Sequence, residues 1–179
     1  SRYYVFSSEA SNIVSGDTNG VTDVFVKDTQ TGQITLVSRA RSGPANGDSG
    51  FASISDDGRL ICFNSTASNL VERDNNGIDD VFLFNRETNT LLGRVSLTEN
   101  LREASGQIGT QRNAEISGDG KWIAFCSAAT NMLADVRGGN VFLTNAEVPQ
   151  LFTPPGPHPN TLQYTLTGNA NIDMSPFSG

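Results

Sequence analysis

Short apolar runs alternate along this chain with stretches rich in Gly, Asp, Asn and Ser. No run carries the i, i+3, i+4 spacing of an amphipathic helix, and each has the length and the aromatic or β-branched content of a strand. The runs also repeat. RYYVFSSEASNIV at 2–14 aligns with RLICFNSTASNLV at 59–71 and KWIAFCSAATNML at 121–133, which brings Phe6, Phe63 and Phe125 together, and likewise Asn12, Asn69 and Asn131. DTNGVTDVFV at 17–26 matches DNNGIDDVFL at 74–83, and DVRGGNVFL at 135–143 is a shortened third copy. The turns ISDDGR at 54–59 and ISGDGK at 116–121 complete the unit, with MSPFSG at 174–179 as a degenerate copy.

The repeated unit predicts its own architecture. Asp57-Gly58 between two short β-rich runs is a tight-hairpin signature, because this pair tolerates positive φ. In the best-preserved unit the predicted strands are A (51–55), B (59–65), C (79–85) and D (90–97). Strand B is apolar at successive positions, as a strand covered on both faces must be. In the first unit DVFVKD at 23–28 and QITLVS at 33–38 read as C and D. Four antiparallel strands in about 60 residues, written three times, predict an all-β chain of β-propeller blades. The repeats fall at about 1–58, 59–120 and 121–179 and form one propeller unit. Each is permuted, starting at strand B and ending at strand A. The third departs from the pattern in the proline-rich stretch 147–160, and its fourth strand is placed near 147–153, because proline cannot donate to a sheet ladder.

ISGDGKWIAFCS at 116–127 and ISDDGRLICFNS at 54–65 resemble the TolB-like, WD-type bacterial β-propeller repeat, in which a serine and an Asp-Gly turn precede an apolar strand. The ASN and DTNGVTDVFVKD segments look like a largely secreted subset of that family. The resemblance implies a blade fold and a secreted, cell-surface or periplasmic location. It carries little about function, since propellers host many unrelated roles.

Charge and composition narrow the field. Twelve basic against 19 acidic residues give a net charge of −7. Such a surface repels phosphate backbones, so no nucleic-acid partner is expected. No apolar run approaches the roughly 18 residues of a membrane span. His158 is the sole histidine and lies among prolines, read as a solvated loop residue. Cys62 and Cys126 flank the shared phenylalanine on opposite sides in sequence and so face the same side of equivalent strands, which predicts buried free thiols. Asn64-Ser65-Thr66 fits a glycosylation sequon at a strand end.

The acidic loops are the strongest candidate chemistry. Asp17, Asn19 and Asp23 recur as Asp74, Asn76 and Asp80, with the carbonyls of Val21 and Ile78 at an intermediate position. Oxygen donors at alternate positions around a glycine suit calcium, which takes six to eight oxygens including carbonyls. A metal-free turn is the alternative, because Asn-Gly turns on its own and aspartates cap loop amides. The third copy keeps only Asp135 and Asn140 and is expected to hold no ion.

No catalytic residue is assigned. Asp56 and Asp57 are neighbours on a hairpin turn and would point apart, which does not suit a glycosidase pair. Glu99, Glu103 and Glu115 lie in or beside the long loop 98–114, read as solvated. Trp122, at the repeat position of Leu60, is read as packing, and Tyr3 and Phe51 as mainly core. Open blade edges at the two ends predict self-association by strand exchange, as a ring or a filament, or a part of a longer propeller. The expected function is a non-catalytic extracellular module for binding or self-assembly, stabilised by calcium. The alternatives are a propeller accessory to an enzyme, such as a peptidase gate, and a TolB-like periplasmic interaction module. The chain has no G-x-S-x-G elbow of its own.

Overall fold

The computed structural model describes residues 1–98, 102–105, 114–132 and 140–146. Among these the chain is all-β. Its strands are β1 (Tyr3–Ser8), β2 (Asp23–Asp28), β3 (Ile34–Leu36), β4 (Arg39–Ala40), β5 (Gly43–Pro44), β6 (Ser49–Ile54), β7 (Leu60–Ser65), β8 (Asp80–Asn85), β9 (Thr90–Arg94), β10 (Glu115–Ile116), β11 (Trp122–Ser127) and β12 (Asn140–Asn145). The second unit is a complete four-stranded antiparallel sheet, β6-β7-β8-β9, on the predicted strands A to D. The first unit contributes β1-β2-β3 and the third β10-β11-β12. The small β4–β5 hairpin between the first two sheets has no counterpart in the sequence reading. The proposed strands at 147–153 and 174–179 lie outside the described residues.

Each hairpin turn is locked the same way. Ser55 Oγ donates to Asp57 Oδ1 at 2.6 Å, and that carboxylate accepts the Arg59 N–H at 2.8 Å. The Leu60 N–H returns to Ser55 Oγ at 3.0 Å. Ser117, Asp119, Lys121 and Trp122 reproduce these bonds at 2.6, 3.0 and 3.0 Å. Short polar side chains that satisfy their own turn amides explain why Ser-x-Asp-Gly recurs.

The sheets stack face to face like propeller blades. Ile61, Phe63, Phe82 and Phe84 of the middle sheet pack with Val24 and Val26 of the first. Leu60, Cys62, Val81 and Leu83, on its other face, pack with Ile123, Phe125 and Phe142 of the third. Every residue of β7 is therefore buried, as its apolar sequence requires. The equivalent β1, with the same apolar character, is only half-buried, because no described strand or sheet covers its outer edge and face.

Three aromatic expectations are corrected or refined here. Trp122 is 42% exposed rather than packed, since it sits on the outer face of the third sheet together with Val141 and Leu143. Phe51 is 53% exposed with a φ of 50°, where a register shift in β6 turns it out of the core. Tyr3 is half-buried and packs against the core between the first two sheets. Both cysteines are free, with Cys62 buried and Cys126 half-buried. Burial pushes the Cys62 thiol up to about 12. The sequon residue Asn64 is 2% exposed within β7, so the folded chain does not present it.

Candidate cation site

Both acidic loops lead into strand C, and the ladder holds them in the same register. The Val24 and Val81 N–H groups donate to Ser38 Oγ and Ser96 Oγ at 2.9 and 3.0 Å. Their carbonyls accept the N–H groups of Val37 and Val95, each at 2.8 Å. Ser38 Oγ in turn donates to Asp23 Oδ1, and Ser96 Oγ to Asp80 Oδ1 at 2.6 Å. Asp23 and Asp80 are fully buried.

The structure brings Asp17, Asn19 and Asp23 together in one loop, and Asp74, Asn76 and Asp80 in the other. The asparagines close their loops. Asn19 Nδ2 donates to Asp23 Oδ2 at 2.7 Å and to the Ala45 carbonyl at 2.8 Å, while its Oδ1 accepts the Val21 N–H at 3.3 Å. Asn76 repeats this with Asp80 Oδ2 at 3.0 Å, the Ala104 carbonyl at 3.4 Å and the Ile78 N–H at 3.2 Å. Val21 and Ile78 thus enter through their amides. Asp135 lies outside the described residues. Among the described residues no group of three or more His, Cys, Asp or Glu side chains converges as a metal centre.

The two copies differ in what faces the carboxylates. In the second, Arg94 Nη1 donates to Asp80 Oδ2 at 2.7 Å and to Asp74 Oδ1 at 3.2 Å. Its Nη2 reaches Glu103 Oε1 at 3.2 Å, and the same oxygen accepts the Asn75 N–H at 2.7 Å. Burial opposes the charge on Arg94, yet Asp80, Asp74 and Glu103 together raise its pKa. Burial, helped by the charge of Asp80 and opposed by that of Arg94, pushes the Asp74 carboxyl up to about 6. Glu103 is therefore an anchored partner and not a solvated loop residue.

In the first copy the position of Arg94 is held by Leu36. Leu36 pairs with Phe25 as Arg94 pairs with Phe82, one residue before the matched Val37 and Val95. Among the described residues no guanidinium bonds Asp17 or Asp23. Asp17 is 4% exposed, and its Oδ1 is buried with no hydrogen-bond partner. Burial raises the Asp23 carboxyl, and the neighbouring Asp17 adds to the effect. Sequence reasoning missed Arg94 and read Glu103 as solvated. Aligning strand D between units would have exposed a cation at 94 where the first copy has an apolar residue.

The carboxylates and asparagines that the repeat singled out elsewhere serve the fold. Asp57 and Asp119 are held by their turn serines, which lower both carboxyls. Asn69 accepts the Asn46 N–H at 3.0 Å and donates to the Pro44 carbonyl at 3.0 Å. Asn131 does the same with the Ser105 N–H at 2.7 Å and the Glu103 carbonyl at 3.0 Å. This asparagine clamps the segment that enters each sheet to the loop after its strand B. Asn12, the third of the set, is exposed.

No family model matches the chain, and no curated protein does. Among solved structures it is similar to TolB from Acinetobacter baumannii, with 16% identity and a TM-score of 0.45 over 83% of this chain and 28% of that one. It is similar to a putative TolB from Agrobacterium tumefaciens, with 17% identity and a TM-score of 0.48 over 80% of this chain and 42% of that one. It is also similar to the tricorn protease, with 15% identity and a TM-score of 0.46 over 87% of this chain and 14% of that one. The chain spans less than half the length of each of these three.

Proposed function

We propose that the chain is a non-catalytic propeller module that works by blade-to-blade association, with a second copy of itself as the partner. One observation carries this reading: the two outer faces of the sheet stack are repeat equivalents of the faces already packed inside it. Trp122 and Leu143 on the third sheet stand where Leu60 and Leu83 stand in the second, and those residues pack against the third sheet. On the first sheet, Phe6 stands where Phe63 stands, and Tyr4, 44% exposed, lies beside it at 5.9 Å between ring centroids. A surface that mates twice within the chain is complementary to its own opposite end. Head-to-tail contacts of this kind close a ring or propagate as a filament.

The edge of β1 that no described strand pairs, and the exposed Asn12, add a second element. In the middle unit β6 fills that edge, and Asn69 clamps the segment leading into it. A strand donated by the second copy would use both. The envelope or the exterior of the cell is the location that goes with this reading.

Light scattering after size exclusion tests it. The expected mass is a multiple of 19.1 kDa that falls on dilution. A strict monomer at high concentration rejects the reading.

A further inference from the structure

We infer that the first acidic loop is a calcium site, in which the ion takes the place that the Arg94 guanidinium fills in the second loop. The inference stands apart from the assembly reading, since a monomer can bind calcium and an assembly can form without it.

Three observations converge. First, the two loops share their ladder bonds, serine contacts and asparagine closures, so position 36 of one is position 94 of the other. Second, the change at that position is from cation to apolar: Arg94 bonds both Asp74 and Asp80, while Leu36 offers neither charge nor donor to Asp17 and Asp23. Third, Asp17 Oδ1 is buried without a partner, whereas its counterpart Asp74 Oδ1 receives Arg94 Nη1 at 3.2 Å. A buried carboxylate oxygen left without a donor is costly, and a cation is the group that removes the cost.

The donor chemistry selects the ion. The described side chains of the loop offer carboxylate and amide oxygens, with no sulfur or imidazole among them, which favours a hard cation over zinc or copper. Asp17 and Asp23 supply the charge. Asn19 is committed to holding Asp23 and closing the loop, so carbonyl oxygens and water complete the shell. Calcium tolerates such an irregular oxygen shell, whereas magnesium demands near-ideal octahedral geometry and dehydrates reluctantly. In the second loop Arg94 already meets both carboxylates, so one ion per chain is expected.

Thermal melts and calorimetric titration with calcium chloride, using magnesium chloride as comparison, test the assignment on the whole chain and three variants. Calcium is expected to raise the melting temperature of the parent by about 5 °C, with one ion bound per chain and a weaker response to magnesium. Asp17→Asn is expected to lose the response, and Asp74→Asn to keep it. Leu36→Arg, which installs the guanidinium of the second loop, is expected to melt without regard to calcium. If Leu36→Arg does not fold, the Asp17→Asn and Asp74→Asn pair decides. A parent indifferent to calcium, two ions per chain, a response that survives Asp17→Asn, or one abolished by Asp74→Asn would each overturn the inference.

Discussion

Gly58 and Gly120 occupy the same turn position and share a φ of 71°, a left-handed conformation that side chains resist. Their surroundings differ. A Cβ at Gly58 would lie 2.3 Å from Tyr3 Cδ2, while one at Gly120 would meet Ser55 Cβ at 3.5 Å, an ordinary contact. Tyr3 cannot easily yield. The Arg86 guanidinium lies 3.9 Å from its ring centroid and the Arg2 guanidinium 4.8 Å, so two cations pack on the ring. Both glycine-to-alanine changes carry the backbone cost, about 1 kcal/mol. Gly58→Ala is expected to cost about 1–3 kcal/mol more through overpacking. Urea denaturation of the two variants measures the difference, and equal losses would refute the role given to Tyr3. The glycines were legible from the Asp-Gly pairs. The clash was not, because Tyr3 comes from a different sheet.

At the level of the element, the loop before β8 and strand β9 act together. Asp74, Asp80 and Glu103 surround Arg94, and the Asp74 carboxyl is raised to about 6 from an ordinary value of 3.8. Between about pH 4 and 6 the folded chain keeps a proton on Asp74 that the unfolded chain has released, so this group's contribution to stability declines as pH rises through that window. Asp74→Asn has no such proton to lose. Its melting temperature relative to the parent is therefore expected to rise as pH is raised from about 4 to about 7. A difference that stays flat with pH would show that Asp74 is not raised. The acidic loops themselves were plain in the sequence, through Asp and Asn at matched positions. Their separation into one loop that meets an arginine and one that does not needed the strand D register, which pairs Arg94 with Phe82 and Leu36 with Phe25.

At the level of the molecule, the same strand sequence meets two fates. β7 is buried throughout because sheets lie on both of its faces and β6 on its edge, while β1 keeps exposed positions. If association uses the outer faces, the third sheet's face is where a charge should do most harm. Trp122→Asp and Leu143→Asp are exposed in the single chain, at 42% and 36%, so neither should disturb its folding. Both are expected to shift the solution mass towards 19.1 kDa while leaving the melting transition of the monomer near that of the parent. Variants that assemble like the parent would move the interface elsewhere.

The amino-acid sequence by itself determined the repeat, the all-β class, the strands of the middle unit and the turn chemistry of Ser55, Asp57 and Gly58. These depend on neighbours in the chain, through alternation, positive φ and side chains that reach their own backbone. Tertiary structure alone decided which repeated residues would be buried, and which acidic loop would meet an arginine. Asn64 is enclosed although its sequon looks accessible, and Trp122 is exposed although its counterpart Leu60 is core. Arg94 reaches Asp74, Asp80 and Glu103 across gaps that no local pattern spans. Burial and charge pairing are set by which sheet lies opposite, and that is a property of the stack rather than of any one strand.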